Sequence, residues 1–429
     1  MTVWIKGGTV VDPEKGTAEN LDVIVEAGRV ARILPPGEFA NGKSGVTVVD
    51  ASEKLVLPGL IDMHVHLREP GHEYKETIAS GAKAAAGGGF TAVACMPNTD
   101  PPNDSRSVTE FILEQAGRAG FARVYPVAAI TKGRKGETLT EFGDLRAAGA
   151  VAVSDDGYPV TSSEVMRRAL EYADFFGLTV ISHCEDLDLS AGGVMHEGEM
   201  STRMGLPGIP AAAEESMVYR EISLARLTGR PVHIAHVSTA GSVELIREAK
   251  RAGVPVTAET APHYFTLDHT AVTGYDTHAK MNPPLRAPHD VAAIREGLAQ
   301  GVIDVIATDH APHSPLEKEV AFDQAAFGII GLETALPLTL ELVRQGVLDL
   351  AEAVKKLSTN PAAILHVPGG RLAEGETADL TVVDPVSEFV MDKGAFLSKS
   401  NNSPFIGKSL KGRADLTMIG GKVVWDRRQ

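Results

Sequence analysis

Hydrophobic and polar positions divide the chain into stretches of different period. Residues 1–55 alternate over short runs, "VWIKGGTVV", "LDVIVEAGRVARIL" and "VTVVDA", broken by glycine-centred turns such as "EAGR". Period-two alternation between such turns predicts β-hairpins. The far end reads the same way in "ADLTVVD" and "DLTMIGGKVVWD", and "MIGGKVVWD" at 418–426 echoes "WIKGGTVVD" at 4–12. Strands at both ends with helices between them predict a small composite β-sandwich domain. Residues 1–56 would form its N-terminal part and 368–429 its C-terminal part.

Between these ends the period changes. Near-continuous apolar runs at 60–66, 90–96, 123–130, 150–154, 178–183, 231–236, 254–259 and 303–308 alternate with helical text such as "SSEVMRRALEYADFFG" and "STAGSVELIREAKRAG". Strands without alternation are buried on both faces, which is the signature of a parallel sheet. Eight β-then-α units predict an α/β fold, a (β/α)8 TIM-type barrel over 57–367. An open doubly wound sheet competes with it. That fold would carry a glycine-rich phosphate-binding turn after its first strand, and none is present.

Composition narrows the function. The 429 residues carry a formal net charge of −15. This disfavours nucleic acid and anionic membrane surfaces, both of which select clustered Lys and Arg. No apolar run reaches the ~18 residues of a membrane span. The N-terminus lacks a basic segment followed by an apolar one, and two cysteines make no disulfide framework. The expectation is a soluble, cytoplasmic protein acting on a small molecule.

Catalytic groups in a barrel sit where the strands end. The first strand ends in His64 and His66, the fourth runs into Asp155 and Asp156, the fifth ends in His183, the sixth in His236 and the eighth in Asp309. Residues i and i+2 of a strand share a face, so His64 and His66 can hold one cation. Imidazole and carboxylate suit zinc and similar ions. Four histidines and two aspartates exceed the needs of one open zinc site and suit two metals bridged by a carboxylate. Asp155 and Asp156 compete for one place. Asp62 reads equally as an orienter of a histidine or a turn acceptor, and His263 is a candidate for lining the site. His233 points away from His236 and reads as packing or as a contact that supports a neighbouring ligand. His72, His196, His269, His289 and His366 read as solvated. Cys184 reads as a small buried side chain. Arg68, two residues past His66, suits bidentate binding of a substrate carboxylate.

Seven phrases in order carry a resemblance: "DMHVHLREPG", "MPNT" at 96–99, "SDDG" at 154–157, "SHCED" at 182–186, "AHVST" at 235–239, "MNPPLR" at 281–286 and "ATDHAPH" at 307–313. Together they resemble the dihydroorotases of the amidohydrolase superfamily, over essentially the whole chain. The resemblance implies reversible closure of N-carbamoyl-L-aspartate to L-dihydroorotate in pyrimidine synthesis. It implies His64, His66 and Asp309 on one zinc, His183 and His236 on a second, and Asp156 bridging both. Many relatives use a carboxylated lysine as that bridge, and no lysine lies near the end of the fourth strand here. The chain therefore resembles the class with an aspartate bridge. By the same carry-over Asp309 moves the proton. His66, Arg68, Asn98, Asn282 and His313 bind substrate, and Phe327 and Gly328 of "AAFGIIG" meet the ring. The resemblance also implies a homodimer and allows a complex with aspartate carbamoyltransferase. The rival readings are an allantoinase or hydantoinase, and a metal-free structural partner of that transcarbamoylase. Arg68 and Asp156 disfavour the first, and the complete ligand set disfavours the second.

Overall fold

A computed structural model describes residues 2–39 and 45–428. Its centre is a parallel barrel of eight strands in sequence order: Leu60–Val65, Phe90–Cys95, Arg123–Ala128, Ala152–Val153, Thr179–Ser182, Val232–Ile234, Val256–Thr260 and Val305–Ile306. Closure comes from the first and last units. Val65 bridges His310, and the His66 amide donates to the His310 carbonyl at 2.8 Å. Inside the barrel Met63, Ala94, Val127, Ile181, Ala235 and Val305 form an apolar plug. A larger apolar layer fills the space between strands and helices.

The helices obey local rules. Ala240–Arg251 starts where the Thr239 hydroxyl accepts the Ser242 amide at 3.1 Å, and it ends on Lys250 and Arg251, against the negative end of its dipole. Ser163–Phe175 is capped by Ser162 and turns Met166, Ala169, Leu170 and Ala173 inward at helical spacing.

The fourth, sixth and eighth strands are shorter than the apolar runs predict. The backbone leaves the extended region where the polar residues begin. His236 has φ 34° and Asp309 φ 47°, left-handed values that are rare for residues with a Cβ. Both side chains are thereby turned over the barrel mouth instead of continuing a strand.

The chain ends come together in one sheet and not in the two facing sheets of a sandwich, and its strand Leu55–Pro58 runs past residue 56. All eight of their strands join one hydrogen-bonded sheet around an apolar cluster that includes Ile5, Val23, Val56, Leu380, Val382, Leu416 and Met418. Thr2–Asp12 is its hub, antiparallel to Thr17–Glu26 and parallel to Val46–Asp50 and then Leu55–Pro58. The two echoing phrases do different work. Gly7 and Gly8 sit in a bulge within one strand, whereas Gly420 and Gly421 turn the chain between Ser409–Ile419 and Lys422–Asp426. Gly8 is required by space, because a Cβ there would lie 2.5 Å from a Val56 methyl.

Candidate active site

The Asp156 carboxylate is the centre of the polar cluster. Its Oδ2 lies 3.4 Å from His64 Nε2 and 3.5 Å from His66 Nε2. Its Oδ1 lies 3.5 Å from His236 Nε2 and 3.6 Å from His183 Nδ1. Each oxygen thus faces one histidine pair. Asp309 joins the first pair, with Oδ1 3.1 Å from His66 Nε2 and 3.6 Å from His64 Nε2. Two groups, His64–His66–Asp156 and Asp156–His183–His236, are compact enough to hold one ion each.

The adjacent aspartates part ways. Asp156 has its amide on the Ser154 hydroxyl and its carbonyl on Arg134 Nη1 at 2.7 Å, which turns its side chain into the cluster. Asp155 turns to Thr131, taking its amide at 3.0 Å and its hydroxyl. Asp62 accepts the amides of His64 and Thr308 at 3.1 and 3.2 Å. It is a backbone acceptor and not the orienter of an imidazole.

Carboxylates and an amide fix the rings. His64 Nδ1 lies 2.5 Å from Glu259, whose other oxygen meets His233 at 3.2 Å. His66 donates from Nδ1 to Asn98 Oδ1 at 2.8 Å. His183 donates from Nε2 to Glu185 at 2.8 Å, and Asn282 donates to the same oxygen at 2.9 Å. Each of these three imidazoles then presents its other nitrogen to the shared space. Such partners raise the basicity of ligating histidines and hold their orientation. Glu259 and Glu185 escape a reading of the sequence that looks only at strand-end histidines. The available signal for Glu259 is an acidic residue inside a buried strand, where an unpaired charge is not tolerated.

Ionisation follows from this packing. Burial alone would raise Asp156, but the surrounding histidines hold it well below the usual carboxylate range. Asp309 is lowered in the same way, chiefly through His66 against its burial. Glu185, against its burial, is drawn down to about 2 by His183. Burial lowers the Arg68 guanidinium to about 10 and His313 to about 4, so at neutral pH the first stays charged and the second neutral. Against its burial, His64 is raised well above the ordinary imidazole value by Asp156 and Glu259, and His183 is likewise raised to about 10 by Asp156 and Glu185. A field of this sign favours dications. His64 Nε2 and Asp156 Oδ1 are buried without a hydrogen-bond partner, facing the same space. An orphaned imidazole nitrogen and carboxylate oxygen fit zinc or a similar ion as ligands.

Above the cluster opens a cavity of about 240 Å³ lined by His66, Arg68, Asn98, Asn282, His313, Phe327 and Gly328, together with Asp156, His183, His236 and Asp309. His64 is fully buried beneath them. Arg68 arrives by a different route from the one alternation predicts. The strand has ended at Val65, and a left-handed φ of 63° turns Arg68 inward. Its Nε donates to the Pro312 carbonyl at 3.2 Å, and Nη2 lies 3.4 Å from His313 Nε2. Gly328 is held to glycine by φ 131° and by Ala311, whose Cβ would lie 2.7 Å from an added one.

Other histidines divide differently from expectation. His196 is buried, not solvated, with Nδ1 3.3 Å from Arg286 Nη1. His72 and His269 are half-buried, whereas His289 and His366 are exposed. His263 is buried against Tyr264 and does not line the cavity. Burial pushes the Cys184 thiol up, away from nucleophilic chemistry.

Among the described residues no helix is long and apolar enough to cross a membrane. The chain matches the dihydro-orotase-like family over residues 53–242 and the amidohydrolase family over 202–425. It is 58% identical over 429 residues to a dihydroorotase of Pelotomaculum thermopropionicum, covering 100% of this chain and 99% of that one. To a dihydroorotase of Geobacter metallireducens it is 56% identical over 427 residues, covering 100% of both. Among solved structures it is similar to an L-hydantoinase (dihydropyrimidinase) from Arthrobacter aurescens, with TM-score 0.87, 25% identity and 99% and 96% of the two chains covered. A D-hydantoinase from Thermus sp. gives TM-score 0.82 and 26% identity over 100% and 96%. With relatives this similar along its entire length, the chain belongs to the dihydroorotases of the amidohydrolase superfamily.

Proposed function

We propose that this chain is a zinc-dependent cyclic amidohydrolase that interconverts N-carbamoyl-L-aspartate and L-dihydroorotate in the synthesis of UMP. The observation that carries the reading is Asp156, whose two oxygens face two histidine pairs below a cavity that holds Arg68. His64, His66 and Asp309 would hold one zinc, His183 and His236 the second, with Asp156 shared. When bound, the ions supply Lewis acidity, lowering the pKa of water and polarising the ring carbonyl.

The chain's own groups do the rest. Asp309 is ionised and hangs over the cavity, so it can take a proton from water and hand it to the departing ring nitrogen. In the closing direction it runs in reverse. Arg68 remains charged and presents a planar fork to the substrate carboxylate, with Asn98, Asn282 and the neutral His313 as further polar contacts. Phe327 and the backbone of Gly328 cover the ring and keep bulk water from it. A cytoplasmic homodimer, able to associate with aspartate carbamoyltransferase, belongs to the same reading, and light scattering of the chain alone and with that partner tests it.

The deciding experiment counts zinc per chain and follows L-dihydroorotate hydrolysis before and after chelation, with hydantoin and allantoin assayed beside it. Turnover that disappears with chelator and returns with zinc supports the reading. Zinc bound with turnover only of hydantoin or allantoin would move the substrate elsewhere in the superfamily.

A further inference from the structure

We propose that Lys280 and Lys318 are positioning residues that hold the loop 322–328 in its substrate-contacting form. The inference rests on the reading of the cavity above. Both lysines are buried, Lys318 completely and Lys280 at 2% exposure. Lys318 Nζ donates to three backbone carbonyls: Ala326 at 2.8 Å, Lys280 at 3.1 Å and Gly328 at 3.1 Å. Lys280 Nζ donates to the carbonyls of Phe322 at 2.7 Å and Asp323 at 3.0 Å, and it sits 4.5 Å from the centre of the Phe327 ring. Every one of these acceptors is a backbone oxygen.

Burying an ammonium group is costly unless its protons are matched, and a carboxylate partner is the usual match. A chain that needed only filling at these positions would use an apolar side chain. What the two ammonium groups do instead is hold the carbonyls of Phe322, Asp323, Ala326 and Gly328 in one short loop, which would otherwise turn to water and open. Burial, and then the neighbouring Lys280, lower Lys318 to about 7. The three carbonyl acceptors match the three protons of its charged form.

The arrangement joins two walls of the cavity. The Gly328 amide donates to the Lys280 carbonyl at 3.0 Å, the same oxygen that Lys318 holds. Lys280 lies two residues before Asn282 in sequence, and Gly328 follows Phe327 directly. Asn402 closes the cage from the C-terminal segment, donating to the Gly328 and Ala311 carbonyls at 3.0 Å each. Lys318 and Lys280 line no part of the cavity themselves. They act through Phe327, Gly328 and Asn282.

The test uses the zinc-loaded full chain with Lys318→Met and Lys280→Met. Three quantities are read: kcat and KM for L-dihydroorotate, zinc content, and amide hydrogen exchange of peptides spanning 322–328. The expected result is a KM raised about tenfold or more with a much smaller change in kcat, faster exchange confined to that loop, and unchanged zinc. If Lys318→Met does not fold, Lys280→Met, which removes only two carbonyl bonds, decides. Unchanged KM and unchanged loop exchange in a folded variant overturn the proposal. A parent chain that binds zinc but leaves L-dihydroorotate untouched defeats the functional reading instead, and the exchange data then decide the anchors alone.

Discussion

Glu259 on the seventh barrel strand reaches 195 positions back along the chain to place its Oε1 2.5 Å from His64 Nδ1. The same carboxylate holds His233 through its other oxygen. One buried acid therefore sets the orientation of the ring that lies deepest in the cluster, and two histidines keep that acid ionised against its burial.

Glu259→Gln keeps the shape and removes the charge. The His64 ring loses basicity and a fixed tautomer, so zinc affinity should fall by about 10- to 100-fold. A chelator competition titration measures it. Equal affinity in parent and variant would take Glu259 out of the ligand-orienting role.

Asp309→Asn should leave the fold intact and lower turnover by about 10²- to 10⁴-fold, the range of a lost general acid–base group. Circular dichroism checks the fold and the hydrolysis assay the rate. Zinc content must be measured alongside, because Asp309 also faces His64 and His66. A variant that turns over near the parental rate excludes Asp309 as the proton carrier.

If Arg68 binds the substrate carboxylate as proposed, Arg68→Ala removes a charge-assisted contact worth about 2 kcal/mol or roughly 30-fold in kcat/KM. The loss should be specific to carboxylated substrates. Comparing L-dihydroorotate with 5,6-dihydrouracil, which lacks the carboxylate, reads that specificity directly. An equal loss on both would mean that Arg68 shapes the cavity and does not bind the carboxylate.

His196 supplies a pH dependence away from the His/Asp cluster. Burial, and then Arg286, lower it to about 4, below the 6.5 of a free imidazole. The unfolded chain therefore takes up the proton first as pH falls. The contribution to stability is complete above 6.5 and is lost progressively as pH drops toward 4. Screening at its solvent-facing edge holds the effect to about 1–2 kcal/mol. Urea unfolding at pH 7.5 and 5 in chelator should find a shallower acid loss in His196→Asn than in the parent. Parallel losses in the two proteins would assign the acid sensitivity elsewhere.

Much of this architecture is written in the chain's periodicity. Eight apolar runs separated by helical text indicate parallel strands buried on both faces, and the lack of a glycine-rich turn after the first strand separates the barrel from an open doubly wound sheet. His64 and His66 are legible for the same reason, since spacing by two on a strand means a shared face. What period cannot reveal is backbone that departs from the strand. His236, Asp309 and Arg68 reach the site through left-handed residues, and nothing in a hydrophobic pattern encodes a sign of φ. Long-range pairings are equally hidden. Glu259, Glu185 and Arg286 look like ordinary charges until the fold brings His64, His183 and His196 against them. His196 reads as solvated because its text has no period, yet Arg286 and Ile209 enclose it in a small buried network.

The closing seam of the barrel runs beside the ligands. The amide of His66 meets the carbonyl of His310, the neighbour of Asp309. The two ends of the barrel are thus stitched together beside His66 and Asp309. During synthesis on the ribosome, His64 and His66 emerge some 240 residues ahead of Asp309. A nascent chain that has not yet exposed its eighth strand has neither a closed barrel nor Asp309 beside His66. The His/Asp cluster therefore takes its final form only when the last barrel unit closes onto the first.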